Sequence, residues 1–157
     1  MRKQKGFSLI ELLIVVAIIL IIAAIAIPNL LKARIAANQA SAVGSLRTIV
    51  TSEVGYQSSY GTYSTDLKSL GGSQPCTSTS TTACLIDQNL ATATAATTPK
   101  SGYYFGYTSA TGNTAFTVTA EPAAPGQSGD MHYFTDNSGV IRFNPSTKAQ
   151  VSDPALQ

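Results

Sequence analysis

A run of 21 residues, Phe7 to Ile27, is apolar except for Ser8 and Glu11. As a helix rising about 1.5 Å per residue it would extend about 31 Å, close to the hydrocarbon thickness of a bilayer. A helix that is apolar on every face and this long reads as a membrane span. Glu11 is the anomaly in it. A carboxylate at membrane depth costs about 2.5–3.5 kcal/mol on insertion scales, so an intramembrane acid points to a function and to a cation that it meets.

The flanks orient the segment. Arg2, Lys3 and Lys5 precede it, and Lys32 and Arg34 follow. The cationic excess on the short leader places the N-terminus in the cytoplasm and the rest of the chain across the membrane. Pro28 follows the apolar run directly, lacks a backbone donor, and bends or weakens a helix at that point. A secretory signal peptide is the first competitor, with Ala24-Ile25-Ala26 as its cleavage site and Ile27 as the new start. The run is longer than the usual apolar region of about 7–15 residues, and it contains an acid. A plain signal anchor leaves Glu11 unexplained.

The stretch Gly6-Phe7-Ser8-Leu9-Ile10-Glu11-Leu12-Leu13-Ile14-Val15-Val16-Ala17-Ile18-Ile19 resembles the start of type IV prepilins and of the pseudopilins of type II secretion. The likeness continues through Ala23-Ala24-Ile25-Ala26-Ile27-Pro28-Asn29 and covers about the first third of the chain. It implies a leader peptide over residues 1–6 and cleavage between Gly6 and Phe7 by a prepilin peptidase. It also implies N-methylation of Phe7. Residues 7–28 would be the transmembrane and filament-core helix, and 29–157 the globular head.

Cleavage would change the electrostatics of the segment. The Phe7 nitrogen is a neutral amide in the precursor and a charged amine afterwards. Glu11 lies four residues on, on the same helix face, so its carboxylate could meet the amine of its own chain or of a neighbour. In a low-dielectric setting such an attraction is far larger than in water, and an unpaired charge far more costly. The resemblance favours the intersubunit pair, which would align an incoming helix against one already in a filament.

Bulk charge gives no reason to expect one class of partner. The chain carries ten Lys+Arg against eight Asp+Glu, and loss of the three leader cations leaves seven against eight. That near balance gives no electrostatic footprint for nucleic acid.

Beyond Pro28, Val43, Leu46, Val50 and Val54 recur at helical steps, which predicts one long helix from about Phe7 to Val54, ending near Gly55. Residues 65–72 suggest a short helix stopped by Gly71 and Gly72. The Ser/Thr/Ala-rich stretch 73–98 reads as a connecting loop with little core. From residue 103 onward the pattern is that of strands. Phe116, Val118 and Ala120 alternate with polar residues, and Asp136-Asn137-Ser138-Gly139 separates two short apolar segments as a hairpin loop. The expected class is α+β: a long N-terminal helix whose second half packs on a small antiparallel sheet of three or four strands. The same lollipop form is typical of the resembled family.

The chemistry of the head is sparse. Cys76 and Cys84 lie in the translocated part and suggest a disulfide, since no further ligands complete a metal set. His132 is the only histidine; it reads as a strand residue with a satisfied hydrogen bond, and no nucleophile signature accompanies it. Asp136 and Asn137 suit turn chemistry better than calcium, while Asp130 and Asp153 read as solvated. The seven tyrosines read as core and sheet packing. No cofactor, metal or catalytic constellation is expected, which disfavours a membrane-anchored enzyme. The leading function is a structural pilus subunit that self-associates into a helical filament. It would be served by prepilin peptidase and an inner-membrane, ATPase-driven assembly platform. Before assembly it would sit in the inner membrane, and afterwards in a surface pilus for motility, adhesion or DNA uptake. The runner-up is a pseudopilin forming a short periplasmic piston.

Overall fold

The computed structural model describes residues 7–156. It divides into two compact units, one up to Arg34 and one from Ile35 onward. Among the described residues, the first holds Phe7, Ser8 and the beginning of α1 (Leu9–Tyr60). Its apolar side chains are exposed, Leu9, Ile14, Ile19, Ile25 and Leu30 among them. By length and composition α1 is the one helix among the described residues able to cross a membrane. Pro28 lies inside α1, which continues past it.

The second unit holds the rest of α1, two short helices, α2 (Leu67–Leu70) and α3 (Gln88–Thr92), and four strands. The strands are β1 (Tyr103–Ser109), β2 (Phe116–Pro122), β3 (His132–Asp136) and β4 (Arg142–Asn144). They form one antiparallel sheet in the order β1-β2-β3-β4. Phe105 pairs with Ala120, Val118 with Thr135, and Tyr133 with Phe143. Successive strand residues point to opposite faces, so Phe105, Val118, Ala120 and Tyr133 all point to the buried side. This is the α+β architecture expected, with four strands.

The helix face that meets this core differs from the expected one. Ala42, Ser45, Leu46, Ile49, Ser52, Glu53 and Tyr56 are buried. Val43 and Val50 are only partly buried, and Val54 is 55% exposed. Adjoining stripes share helical periodicity here and have Leu46 in common, and only packing of the rest of the chain decides which is buried most deeply. Each large side chain fully buried in this core, Leu46, Ile49, Phe105 and Phe116 among them, contributes about 1.5–3 kcal/mol.

The helix also ends later than expected. Gly55 stays inside it, and Tyr60 is its last residue. The stop is Gly61, at φ +79°, whose N–H donates to the Gln57 carbonyl at 2.8 Å. Glycine carries the left-handed conformation of such a C-terminal stop without steric cost. One turn more of helix brings Tyr56 into the core.

α2 falls where the glycines placed it. Asp66 caps its start by accepting from the Ser69 N–H at 2.8 Å, and Gly71 ends it. The stretch 73–98 is the larger departure. It contains α3, capped by Asp87 through the Leu90 N–H, and it buries Ala83, Ile86, Leu90, Ala91 and Ala93. Alanines and threonines hid a helix that local capping starts and that tertiary contact stabilises. A disulfide joins Cys76 to Cys84, with Cα atoms 6.1 Å apart, and closes a loop of exposed Ser and Thr residues.

Candidate functional site

The candidate site is the start of α1. Phe7 and Ser8 precede the helix, and Glu11 lies in its first turn. Gly6, the residue on the other side of the expected cleavage point, lies outside the described residues. Glu11 Oε2 accepts a hydrogen bond from the Ser8 backbone N–H at 2.9 Å. The spacing Ser-x-x-Glu is that of a capping box, in which an acid in the third helical position turns back to the cap residue. Four N–H groups at a helix start have no partner within the helix, and a carboxylate there also meets the positive end of the helix dipole.

That bond gives Glu11 a local partner that spacing to Phe7 alone did not reveal. The signal was in the sequence: Ser8 followed three residues later by Glu11, directly ahead of an apolar run. The capping contact and a charge pair are compatible, because a carboxylate has two oxygens and Oε2 alone is engaged with Ser8. Phe7 and Glu11 are both exposed, on a helix start whose neighbours are likewise exposed. Pro28 interrupts the hydrogen-bond ladder further along, since its nitrogen cannot donate to the carbonyl of Ala24.

The head contains a second polar cluster, one that the sequence reading missed. Glu53 is completely buried on α1. Its Oε1 accepts from the Tyr107 hydroxyl at 2.7 Å and from Ser64 Oγ at 2.5 Å, and its Oε2 accepts from the Ser64 N–H at 3.0 Å. Both partners are neutral. Burial pushes the Tyr107 phenol far above its ordinary value of 10.0; the Ser64 hydrogen bond opposes the shift and Glu53 adds to it. Burial likewise raises Tyr103 and Tyr133. With one acid, one phenol and one hydroxyl, all hydrogen-bonded inside the core, the cluster is a clamp joining α1, the loop before α2 and β1. Helical periodicity cannot flag it, because a lone glutamate on a helix reads as a solvated residue.

The remaining candidate residues stay apart. His132 is on β3, and its Nδ1 is buried with no hydrogen-bond partner among the described residues, so the satisfied bond expected there is absent at that atom. Asp136 accepts from the Ser138 N–H at 2.8 Å and from Ser138 Oγ, which is turn chemistry. Asp130 is exposed, as expected. Asp153 is not a free solvated residue: it accepts from the Gln150 N–H at 2.7 Å and from Asn144 Nδ2 at 3.2 Å, fastening the C-terminal segment to β4. Tyrosines at 56, 103 and 133 are core residues, but Tyr60 is 36% exposed. Among the described residues no three His, Cys, Asp or Glu side chains cluster as a metal site.

Comparisons with known proteins bear on this helix start. Residues 1–27 match the family described as the prokaryotic N-terminal methylation motif. The chain is 47% identical over 70 residues to the type IV wide pilus major component PilA4 of Thermus thermophilus, covering 45% of this chain and 53% of that one. It is 42% identical over 69 residues to the type IV major pilin protein PilA of Myxococcus xanthus, covering 44% of this chain and 31% of that one. The chain thus spans about half the length of one relative and about a third of the other. No solved structure matches it significantly. The chain therefore carries the prokaryotic N-terminal methylation motif, and its homologues include type IV pilins.

Proposed function

We propose that the chain is a structural subunit of a type IV pilus and that the start of α1 is its assembly element. The observation that carries this reading is a lone acid, Glu11, held in the first turn of an exposed apolar helix within the methylation motif. Prepilin peptidase cuts between Gly6 and Phe7, and the new Phe7 amine is methylated without loss of its charge, as with methylated lysine. Glu11 then offers its carboxylate to the Phe7 amine of a neighbouring subunit. Apolar contact with other helices replaces contact with lipid, and removal of water from the pair strengthens it. Before assembly the chain is anchored in the inner membrane by α1 with its N-terminus in the cytoplasm. Extraction into the filament is driven by an assembly platform and its ATPase.

Mass spectrometry of the mature N-terminus tests the reading. A chain beginning at methylated Phe7 is expected; one beginning at Ile27 would mark ordinary secretion and overturn it. A type II secretion pseudopilin would share this N-terminal chemistry. The names of the two relatives, both pilins, favour the pilus. Sheared surface fibres in which this chain is the dominant subunit are the expected outcome, and its confinement to the periplasm would favour the pseudopilin.

A further inference from the structure

We propose that the outer face of the sheet carries a binding site for a neutral saccharide. A cavity of about 410 Å³ lies between that face and the C-terminal segment, lined by Gly106, Thr108, Thr117, Thr119 and Phe134 from the strands and by Lys148 and the three residues after it. The volume falls within the small-ligand range of about 300–1,000 Å³. Nothing in this face serves the helix start, so the site stands or falls independently of the subunit reading.

The floor is set by strand register. Gly106 lies opposite Thr119, and Thr108 opposite Thr117. A glycine inside a strand weakens it and marks a place where something approaches the backbone closely. Here a Cβ at position 106 would come within 2.8 Å of Thr119 Oγ1. The glycine therefore admits that hydroxyl to the floor of the cavity, where a larger residue would clash with it. Among the described residues, the hydroxyls of Thr108, Thr117 and Thr119 are not used in hydrogen bonds to the protein, although each lines the cavity. Phe134 supplies a half-buried ring on the same side and takes part in none of the aromatic contacts of the head.

The charges at the rim decide the class of ligand. Lys148 Nζ lies 3.3 Å from Glu121 Oε1, and the Tyr104 hydroxyl donates to Glu121 Oε2 at 3.1 Å. The cation is already paired with a carboxylate, so the rim carries no excess positive charge to favour an anionic ligand. A wholly apolar ligand would strand three hydroxyls without partners. A pyranose ring has one C–H face for Phe134 and a rim of hydroxyls for the threonines and for Gln150.

The test uses the full chain in micelles of a zwitterionic detergent that contains no sugar. Maltose, lactose and N,N′-diacetylchitobiose are probed by saturation-transfer NMR, with dextran as an arm for a polymeric source. At least one disaccharide, or dextran chains in competition with it, is expected to receive transfer at its ring protons. Phe134→Ala should weaken binding by about tenfold. Gly106→Val, which fills the floor, should abolish it, and Thr119→Val serves if that chain does not fold. Thr92→Ala, in a separate surface hollow, should leave binding unchanged. Absence of transfer to every saccharide, or undiminished transfer in both Phe134→Ala and the floor variant, would overturn the proposal. Displacement of the saccharide by inorganic phosphate at low concentration would do so too, because it would make the site anionic.

Discussion

The Tyr107 hydroxyl donates to Glu53 Oε1 across 2.7 Å, joining the first strand of the sheet to the long helix inside the core. A phenol has one proton to give, and the Glu53 oxygen at 2.7 Å is nearer than the Ser64 carbonyl 3.0 Å away. Glu53 has no cation within the cluster, and its two carboxyl oxygens are satisfied by the three contacts from Tyr107 and Ser64. Removal of one donor should therefore matter more than an ordinary surface contact. Tyr107→Phe is expected to lower head stability by about 1–3 kcal/mol, the cost of leaving a buried polar group short of a partner. Urea unfolding monitored by circular dichroism measures it, and a loss under about 0.5 kcal/mol would show the clamp to be incidental.

Alkaline pH should weaken the same core. Burial raises the folded-state pKa of Tyr103, Tyr107 and Tyr133 above the ordinary value of 10.0. Below that value the phenols are protonated in both folded and unfolded chains, and they add no pH dependence. Above it the unfolded chain releases protons that the folded chain retains, so stability falls as pH rises past about 10. Ultraviolet titration should show these phenols ionising together with unfolding, not before it. Smooth ionisation of all seven tyrosines in a still-folded chain would contradict this.

At the helix start, two substitutions separate capping from charge. Glutamine also serves in a capping box, so Glu11→Gln keeps the acceptor for the Ser8 N–H and removes the charge. Glu11→Ala removes both. Cleavage at Gly6–Phe7 is expected to persist in each, while the yield of sheared filaments falls severely in each. Wild-type yield from Glu11→Gln would mean that capping, not charge pairing, is what Glu11 provides.

Pro28 lies within a continuous helix with one hydrogen bond missing. Restoring that bond by Pro28→Ala should raise helix content and reduce filament yield, if local loosening accompanies assembly. Unchanged fibres, counted by electron microscopy after shearing, would remove the idea.

The disulfide between Cys76 and Cys84 closes a short loop, which in the chain-entropy model corresponds to about 2–3 kcal/mol. Cys76→Ser with Cys84→Ser is expected to lower the unfolding midpoint by that equivalent. The effect should centre on the residues the loop anchors, Ala83 and Ile86, read by faster exchange of their amide protons.

Local chemistry made much of this protein legible in its sequence. The apolar helix with its lone acid, the α+β class, the strands around Val118 and Tyr133, and the turn at Asp136 all follow from periodicities and turn residues within a few positions of one another. Even the Ser8–Glu11 cap was written at fixed spacing. Tertiary structure decided what local pattern leaves degenerate. It turned the Ala42–Leu46–Ile49 stripe inward and left Val54 exposed, because the faces of a helix differ in burial only once the rest of the chain packs against one of them. It carried the helix past Gly55 to put Tyr56 in the core, and it made α3 from a stretch too weakly patterned to start a helix alone. Above all it buried Glu53, whose place inside the core depends on Ser64 and Tyr107, eleven and fifty-four residues away in the chain. Residues so distant in sequence share no period. Only the folded chain brings together the donors that let a carboxylate remain in a dry interior.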